Sequence, residues 1–520
     1  MRVTNADVII AGAGPTGLML AAELLAAGVR PVVLERQPQL RTVPKANGFS
    51  GQILQLLSYR GVLDRFESAG AAVAAPTAAF PFGGLHVDLS PLPDPPLRAL
   101  HLAQPRLEQL LDELVRERGG EVRRGHTVTG IDQDGAGVTV AVSGPDGPYQ
   151  LTAHYVVGCD GARSKVRELA GIPFPGITYP EVNRLGQVAV AAGVTVLDNG
   201  DLDVAGHGVV PAGFTRTDRG VFAVGSLANG LLMVQTTEDT VTETDDNEPM
   251  TLEELGDSIR RVLGVHLPLG EPIRLSRYQF QARQAESFRA GRILVAGDAA
   301  HTFPATGVGL NAGMLDAVNL AWKLAADIEG RASDGLLDSY HAERSFAAAR
   351  TMVHTQAQAA LRRGDDPAAE ALRTLFQELL TDAPALQRLG AMIAGADIRY
   401  PMPNPNDHPL TGAFLSDLRL HTGIAQSLHD ARPVLLDLAD RADLREIAEQ
   451  WGDRVDIRTA TTVDRPADAV LIRPDAHIAW AATVGESSAT AEPGLRDALT
   501  TWFGAPTRVP VSSAGNTVSD

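Results

Sequence analysis

The hydrophobic pattern opens on a short, unbroken apolar run, Val8-Ile9-Ile10-Ala11, as expected for a parallel strand covered on both faces. A glycine-rich turn follows, Gly12-Ala13-Gly14-Pro15-Thr16-Gly17. Leu18 to Ala27 is rich in the helix formers Ala and Leu, and Gly28 is placed to end that helix. Pro31-Val32-Val33-Leu34-Glu35 reads as a second strand, so residues 8 to 35 predict a βαβ unit. Arg106 to Arg118 predicts an amphipathic helix, with Leu107, Leu110, Leu111 and Leu114 on one face. Alternation in Leu85 to Leu89, within a Pro, Ala and Gly-rich stretch, predicts strands of a different layer. Gly137 to Val142 and Tyr155 to Gly158 read as strands that return to the first unit.

From about 172 to 285 alternating β signals dominate, for example in Gly186 to Val190 and Gly230 to Gln235, with an acidic loop at Thr240 to Glu248. Arg292 to Ala296 is a further buried strand running into Gly297-Asp298, and helical sequence extends from Asn311 to about Leu389. A turn-rich linker, Pro401 to Asn406, precedes an α/β module with apolar strands at Pro433 to Asp437 and Ala469 to Ile472. The expected division is 1–171, 172–285, 286–400 and 401–520. The length of 520 residues accommodates about three domain equivalents.

Composition narrows the function classes. The chain is 44% hydrophobic and 21% charged, which is ordinary for a globular protein with a sizeable core. A net charge of −18 repels phosphate backbones, so no nucleic-acid partner is expected. No apolar run reaches the roughly 18 residues of a membrane span, and no signal peptide is read, so a cytoplasmic protein with no membrane partner is expected. Cys159 is the single cysteine, so any redox chemistry must run on a cofactor.

A strand, a GxGxxG turn, a helix and an acidic residue ending the next strand form a dinucleotide-binding fingerprint. Gly12 makes the tight turn, Gly14 lets the backbone approach a pyrophosphate, and Gly17 allows close helix packing. The helix N-terminus offers free N–H groups to the phosphates. Glu35 is positioned to accept from ribose hydroxyls, and its charge disfavours a 2′-phosphate. This turn alone does not separate NAD from FAD.

Two further motifs do separate them. Gly158-Cys159-Asp160-Gly161-Ala162-Arg163-Ser164 and Gly297-Asp298-Ala299-Ala300-His301, continuing to Met314, complete an ordered set of three. The set resembles that of the class A FAD-dependent aromatic hydroxylases, the para-hydroxybenzoate hydroxylase family, from residue 7 to about 360. The nearest subgroup is the bacterial aromatic-polyketide oxygenases. Their C-terminal thioredoxin-like domain is echoed by Arg432 to Asp440 and Leu471 to Trp480. The resemblance implies an α/β fold: a Rossmann-like FAD-binding domain of the GR2 type, an inserted β-sheet substrate domain and the thioredoxin-like module. That module has no CxxC, so no thiol redox role is expected of it.

The resemblance also implies a site. FAD would be held by Gly12, Gly14, Pro15, Thr16 and Gly17, by Glu35 and Arg36, and by Lys45. Gln104 and Arg106 would meet it from the other side, with Asp160 and Arg163 from the second motif. Asp298 would hold a ribityl hydroxyl, and Pro304, Gly307, Gly309, Leu310 and Asn311 would run past the flavin ring. Backbone N–H groups there would stabilise charge at N1/C2=O. Asp298 as a helix cap and Arg163 as a surface ion-pair member stay open, and His301, Trp322 and Cys159 are read as packed residues. No catalytic residue or metal is assigned; Gln52, Pro304 and Gly307 are the pocket candidates.

The implied activity is monooxygenation by FAD, with NADPH or NADH as transient electron donor and O2 as oxidant. One oxygen atom enters a polycyclic aromatic polyketide-type substrate through a flavin C4a-hydroperoxide, most simply as hydroxylation. Baeyer–Villiger insertion, a reductase or halogenase-like flavoprotein, and an inactive FAD-binding scaffold are the alternatives; a homodimer stays open. Two departures stand out. Thr306 precedes a single Gly307-Val308-Gly309, and Gln52 stands where many polyketide hydroxylases carry arginine.

Overall fold

The computed structural model describes residues 4–227, 230–239, 248–304, 307–364, 366–403, 408–415, 428–462 and 464–507. Most of the acidic loop (240–247), the pair 305–306 and the end of the linker (404–406) lie outside the described residues.

The first layer is a six-stranded sheet. In spatial order it runs Arg289–Ala290, Ile293–Val295, Tyr155–Gly158, Val8–Ala11, Pro31–Glu35 and Glu121–Arg124. All neighbours are parallel except the edge pair at 289–290. The central strands are buried along their length, which explains their continuous apolar sequence. Gly158 pairs with both Ala11 and Val295, so three strands end level with one another. The chain leaves Val8–Ala11 toward one side for Pro31–Glu35 and returns later on the other side at Tyr155–Gly158. That reversal is the topological switch point of an open α/β sheet, where the crevice outside the strands' carboxyl ends receives ligands.

The helix Pro15–Ala26 packs on this sheet and against the long helix Gly309–Ile328. The helix Gln104–Glu117 buries Leu107, Leu110, Leu111 and Leu114 into the same core, as its pattern predicts. A four-stranded sheet (Thr4–Asn5, Gly147–Ala153, Val138–Gly144, Thr127–Gln133) lies beside it. The alternating stretch at Leu85–Asp88 pairs with Ala79–Phe82 in a separate hairpin.

The β-rich middle builds a second six-stranded sheet, from Gly213–Thr217 at one edge to His301–Thr302 at the other. Its long central strands are Gly176–Ala189 and Pro272–Gln284. One face is covered by the helix Leu252–Leu263, through Leu255, Ile259 and Val262. The other carries Tyr179, Phe280 and Ala282 against Ala359 of the helix Ser339–Arg362. Thr302 pairs with Arg283, so the segment after Gly297-Asp298 is stitched directly to this sheet.

The C-terminal module has strand order Asp456–Thr459, Val434–Asp437, Ala469–Ile472, Ile478–Ala482. The first pair is parallel and the other two are antiparallel. With helices Ala442–Ala448 and Ser488–Phe503, this is the thioredoxin-like arrangement the sequence predicts. Trp322 packs against Trp502 and Phe503, so the module shares its core with the helix Gly309–Ile328.

Candidate active site

The glycine-rich turn is built by contacts that exclude side chains. Gly12 has φ 106°, and a Cβ there would lie 2.4 Å from the carbonyl oxygen of Cys159. The first and second motifs therefore meet backbone to backbone at this point. A Cβ on Gly17 would lie 2.0 Å from the Gly12 carbonyl, which welds the helix onto the turn. Gly14 differs: its backbone is extended, and a Cβ there would meet nothing within 4 Å. That space belongs to a cavity of about 960 Å³. The helix that starts there has no side-chain cap and no acidic residue in its first turn, leaving its N–H groups free for an anion.

Glu35 faces the same cavity. The Ala13 N–H donates to its Oε2 at 2.8 Å, and the Gln37 N–H donates to its Oε1 at 2.8 Å. The carboxylate is thus fixed by the turn it faces, with lone pairs left for ribose hydroxyls.

Asp160 and Arg163 also line the cavity. The Asp160 carboxylate accepts from the Ser164 hydroxyl (2.5 Å), the Lys165 N–H (2.7 Å) and the Val166 N–H (3.2 Å), so it caps the short helix Lys165–Leu169. Arg163 is exposed and makes no ion pair among the described residues.

The third motif turns at Gly297, where a Cβ would lie 2.6 Å from Thr16 Oγ1. Asp298 then faces the cavity. Its side chain keeps exposed surface, while desolvation by the surrounding protein pushes its carboxyl up, despite His301 and Lys45 nearby. Among the described residues none donates a hydrogen bond to its carboxylate. Lys45 is pushed down by burial and by Arg41 and Arg274, and Asp298 partly offsets this. Arg274 donates to the Pro44 carbonyl at 2.5 Å and holds the Lys45 loop against the cavity. The Gln104 N–H donates to the Ala46 carbonyl, and its side chain donates to Glu108 at 2.7 Å.

The cavity thus gathers Gly12, Gly14, Pro15, Thr16, Glu35, Arg36, Lys45, Gln104, Asp160, Arg163, Asp298, Gly307, Gly309 and Leu310 from the expected set. Five expected residues lie outside its lining. Gly17 acts by packing, as described. Arg106 extends toward Glu113, 4.0 Å away, on the exposed side of its helix. Pro304 is buried beside Phe303 rather than lining the cavity. Asn311 accepts from the Ser50 N–H (3.0 Å) and donates to Ser50 Oγ (3.2 Å). Gln52 and Asn311 line a separate, smaller cavity of about 40 Å³. His354 shares that cavity, its imidazole pushed down to about 4 by burial.

Other residues were not anticipated. Tyr278 and Phe280 wall the cavity from the middle sheet, with Phe303 opposite them in sequence and Arg41 near Lys45. The alternation in Tyr278-Gln279-Phe280-Gln281 was the available signal.

Beneath the site runs a buried polar network. Asp316 accepts from the Gly297 N–H (2.9 Å) and from Arg344 Nε (2.6 Å), and lies 2.7 Å from His301 Nε2. His301 is thereby a packed structural residue, as expected. Burial alone would raise the Asp316 carboxyl; His301 and Arg344 outweigh it and hold it low. Arg344 also donates to the Tyr400 hydroxyl at 2.7 Å, and the Tyr400 ring stacks on His477 at 4.0 Å. From there Asp475, Arg473, Glu343 and Lys323 continue, with Arg473 forked onto Glu343 at 2.6 and 2.8 Å. The C-terminal module therefore reaches the strand end that presents Asp298.

Fold and site together define a flavoprotein: a Rossmann-type nucleotide crevice at a switch point, continuous with a pocket under an inserted β-sheet. The donor set fits FAD, through the free helix N-terminus, the open space at Gly14, the pre-oriented Glu35 and the unpartnered Asp298. Residues 5–355 match the family described as FAD binding domain, and residues 408–506 match aromatic-ring hydroxylase, C-terminal. The chain is 40% identical to the 12-dehydrotetracycline 5-monooxygenase/anhydrotetracycline 6-monooxygenase of Streptomyces rimosus, over 96% of this chain and 99% of that one. It is 37% identical to a rifampicin monooxygenase of Streptomyces venezuelae, over the same shares. The solved structure of CabE, an aromatic hydroxylase from angucycline biosynthesis, superposes with a TM-score of 0.86 at 37% identity, covering 97% of this chain and 100% of that one. The chain belongs to the FAD-dependent aromatic-ring hydroxylase family, and it is an FAD-dependent monooxygenase.

Proposed function

We propose that this chain hydroxylates a polycyclic aromatic, polyketide-type small molecule with O2, using NADPH in preference to NADH. The observation that carries this reading is the single cavity shared by the three strand-end motifs and the aromatic wall of Tyr278 and Phe280. The tetracycline-type and rifampicin-type molecules named for its relatives are of the size and chemistry such a wall suits. Among the described residues no helix is long and apolar enough to cross a membrane. A cytoplasmic enzyme without membrane or nucleic-acid partners follows from this reading, and a homodimer is compatible with it.

Bound FAD supplies the redox chemistry, taking a hydride from the nicotinamide and activating O2. The protein's own residues do the rest. Glu35 holds the adenosine ribose, and the N–H groups following Gly14 hold the pyrophosphate. Asp298 accepts from a ribityl hydroxyl, which favours its ionised form once the ligand is seated. The N–H groups at the start of the helix Gly309–Ile328 direct a positive dipole end into the cavity. Tyr278, Phe280 and Phe303 exclude water around the ring of the substrate.

The test is anaerobic mixing of the FAD-loaded protein with NADPH. The yellow colour should bleach, faster with a polycyclic phenol present and slower with NADH. A preparation that takes up FAD yet never bleaches with either nicotinamide would overturn the reading.

A further inference from the structure

Tyr278 lies on the long strand Pro272–Gln284, two residues before Phe280, so both rings stand on the same face of the middle sheet. Their centroids are 5.8 Å apart, and both residues line the main cavity. The phosphate-binding turn and Glu35 reach that cavity from the first sheet, so Tyr278 belongs to its opposite wall. Other enclosed phenols are satisfied by protein. Tyr59 donates to the Leu415 carbonyl at 3.0 Å, Tyr340 donates to the Val295 carbonyl at 2.8 Å, and Tyr400 accepts from Arg344 at 2.7 Å. The Tyr278 hydroxyl has no hydrogen-bond partner among the described residues. Its oxygen is not one of the unpartnered atoms sealed inside the protein either, so the open space it meets is the cavity that its side chain lines.

Burial raises the Tyr278 phenol, against the pull of Arg362 and Arg274, so at neutral pH it keeps its proton and is a donor. The two guanidinium charges strengthen that donor, because they stabilise the negative charge that builds on its oxygen as it donates. In an empty cavity water satisfies the hydroxyl. A flat apolar molecule that displaces the water leaves the hydroxyl unpaired, at a cost that an accepting oxygen on the molecule removes. A ring carbonyl offers its lone pairs in the plane of the rings, at the molecule's edge, and leaves both ring faces free for the aromatic wall.

We propose that Tyr278 orients the substrate, its hydroxyl donating a hydrogen bond to a ring carbonyl oxygen of a polycyclic aromatic molecule in the main cavity. This rests on the reading that an aromatic substrate enters that cavity. It narrows the substrate to molecules with a quinone- or enone-type carbonyl. One directional bond at the wall also fixes how the ring system is turned, and so which ring carbon is presented for oxygenation.

The probes are 9-fluorenone, a three-ring ketone, and fluorene, which has the same rings without the carbonyl. Both are bound to oxidised, FAD-loaded enzyme by equilibrium dialysis, and fluorenone isotope-labelled at its carbonyl is followed by difference infrared spectroscopy. On wild type the carbonyl stretch should move to lower wavenumber than in an apolar solvent. Tyr278→Phe, which removes one oxygen and keeps the ring, should abolish that movement. It should weaken fluorenone binding by about threefold to tenfold, the effect of one hydrogen bond, and bind fluorene at least as tightly as wild type does. Its retention of FAD should equal that of wild type. Should Tyr278→Phe not fold, Tyr278→Met supplies the same comparison. An unshifted carbonyl on wild type, or the same band and affinity on wild type and variant, overturns the role of Tyr278 and leaves the aromatic pocket standing. A folded Tyr278→Phe that loses FAD assigns the hydroxyl to the cofactor and overturns the role as well. If neither probe binds wild type, the aromatic-substrate reading falls and this role falls with it.

Discussion

The backbone N–H of Ala13 donates to the carboxylate of Glu35 at 2.8 Å, joining the phosphate-binding turn to the end of the neighbouring strand. Glu35 is therefore placed before any ribose arrives. Glu35→Ala should remove both the orientation and the ribose acceptor. A hydrogen bond to a charged group contributes about 1.5–3 kcal/mol, so FAD affinity should fall by about tenfold or more. Fluorescence titration of apoprotein with FAD measures this; unchanged affinity would contradict the role.

Glycine substitutions should separate packing from ligand contact. A Cβ on Gly17 collides with the Gly12 carbonyl, whereas one on Gly14 projects into the cavity. Gly17→Ala should yield little folded protein. Gly14→Ala should fold, with an apoprotein circular dichroism spectrum like that of wild type, yet bind FAD poorly.

Asp298 should trade stability against cofactor retention. Its folded carboxyl lies above its ordinary value because of burial. The sign follows from linkage: its contribution is fully present below the unfolded carboxyl value, near pH 4, and is lost as pH rises through the raised folded value. At neutral pH the apoprotein thus carries a carboxylate whose ionised form its surroundings disfavour. Asp298→Asn should melt at or above the wild-type temperature as apoprotein at pH 7, with the gap closing toward pH 4. The same variant should release FAD more readily on gel filtration.

The buried network should govern acid stability. Burial would raise the Glu343 carboxyl, but Arg473 and Lys323 outweigh it and hold it below the usual range; Asp475 is likewise held down by Arg473 and His477 against burial. Their stabilisation is intact above the unfolded carboxyl range, near pH 4, and fades as pH falls from there toward the lowered folded values. Thermal midpoints should accordingly drop steeply below about pH 4. Arg473→Met leaves both acids buried without their guanidinium partner, at a cost of about 3–5 kcal/mol. Chemical denaturation at pH 7 would show it.

Much of the nucleotide end was legible because it is local in sequence. Gly12 to Gly17, Glu35 and Gly297-Asp298 each sit at a strand end, and apolar runs mark those strands. The substrate end was not legible in the same way. Tyr278 and Phe280 come from a strand of the middle sheet and Phe303 from the segment after the third motif, and their meeting depends on how Thr302 pairs with Arg283 at the edge of that sheet. Arg106 shows the limit of position by analogy, since one helical step decides whether a side chain meets the cavity or Glu113. The C-terminal module was readable as a fold, but its tie to Asp316 through Tyr400 and Arg344 crosses from one module to another.

The central claim is that this flavoprotein transfers one atom of O2 to an aromatic ring. Turnover of FAD-loaded enzyme with NADPH and a hydroxylated tetracyclic or angucyclic substrate under 18O2, followed by mass spectrometry, tests it most directly. The predicted product carries one 18O in a new hydroxyl group. A product whose added oxygen comes from water, or NADPH oxidation that yields only hydrogen peroxide with every such substrate, would contradict it.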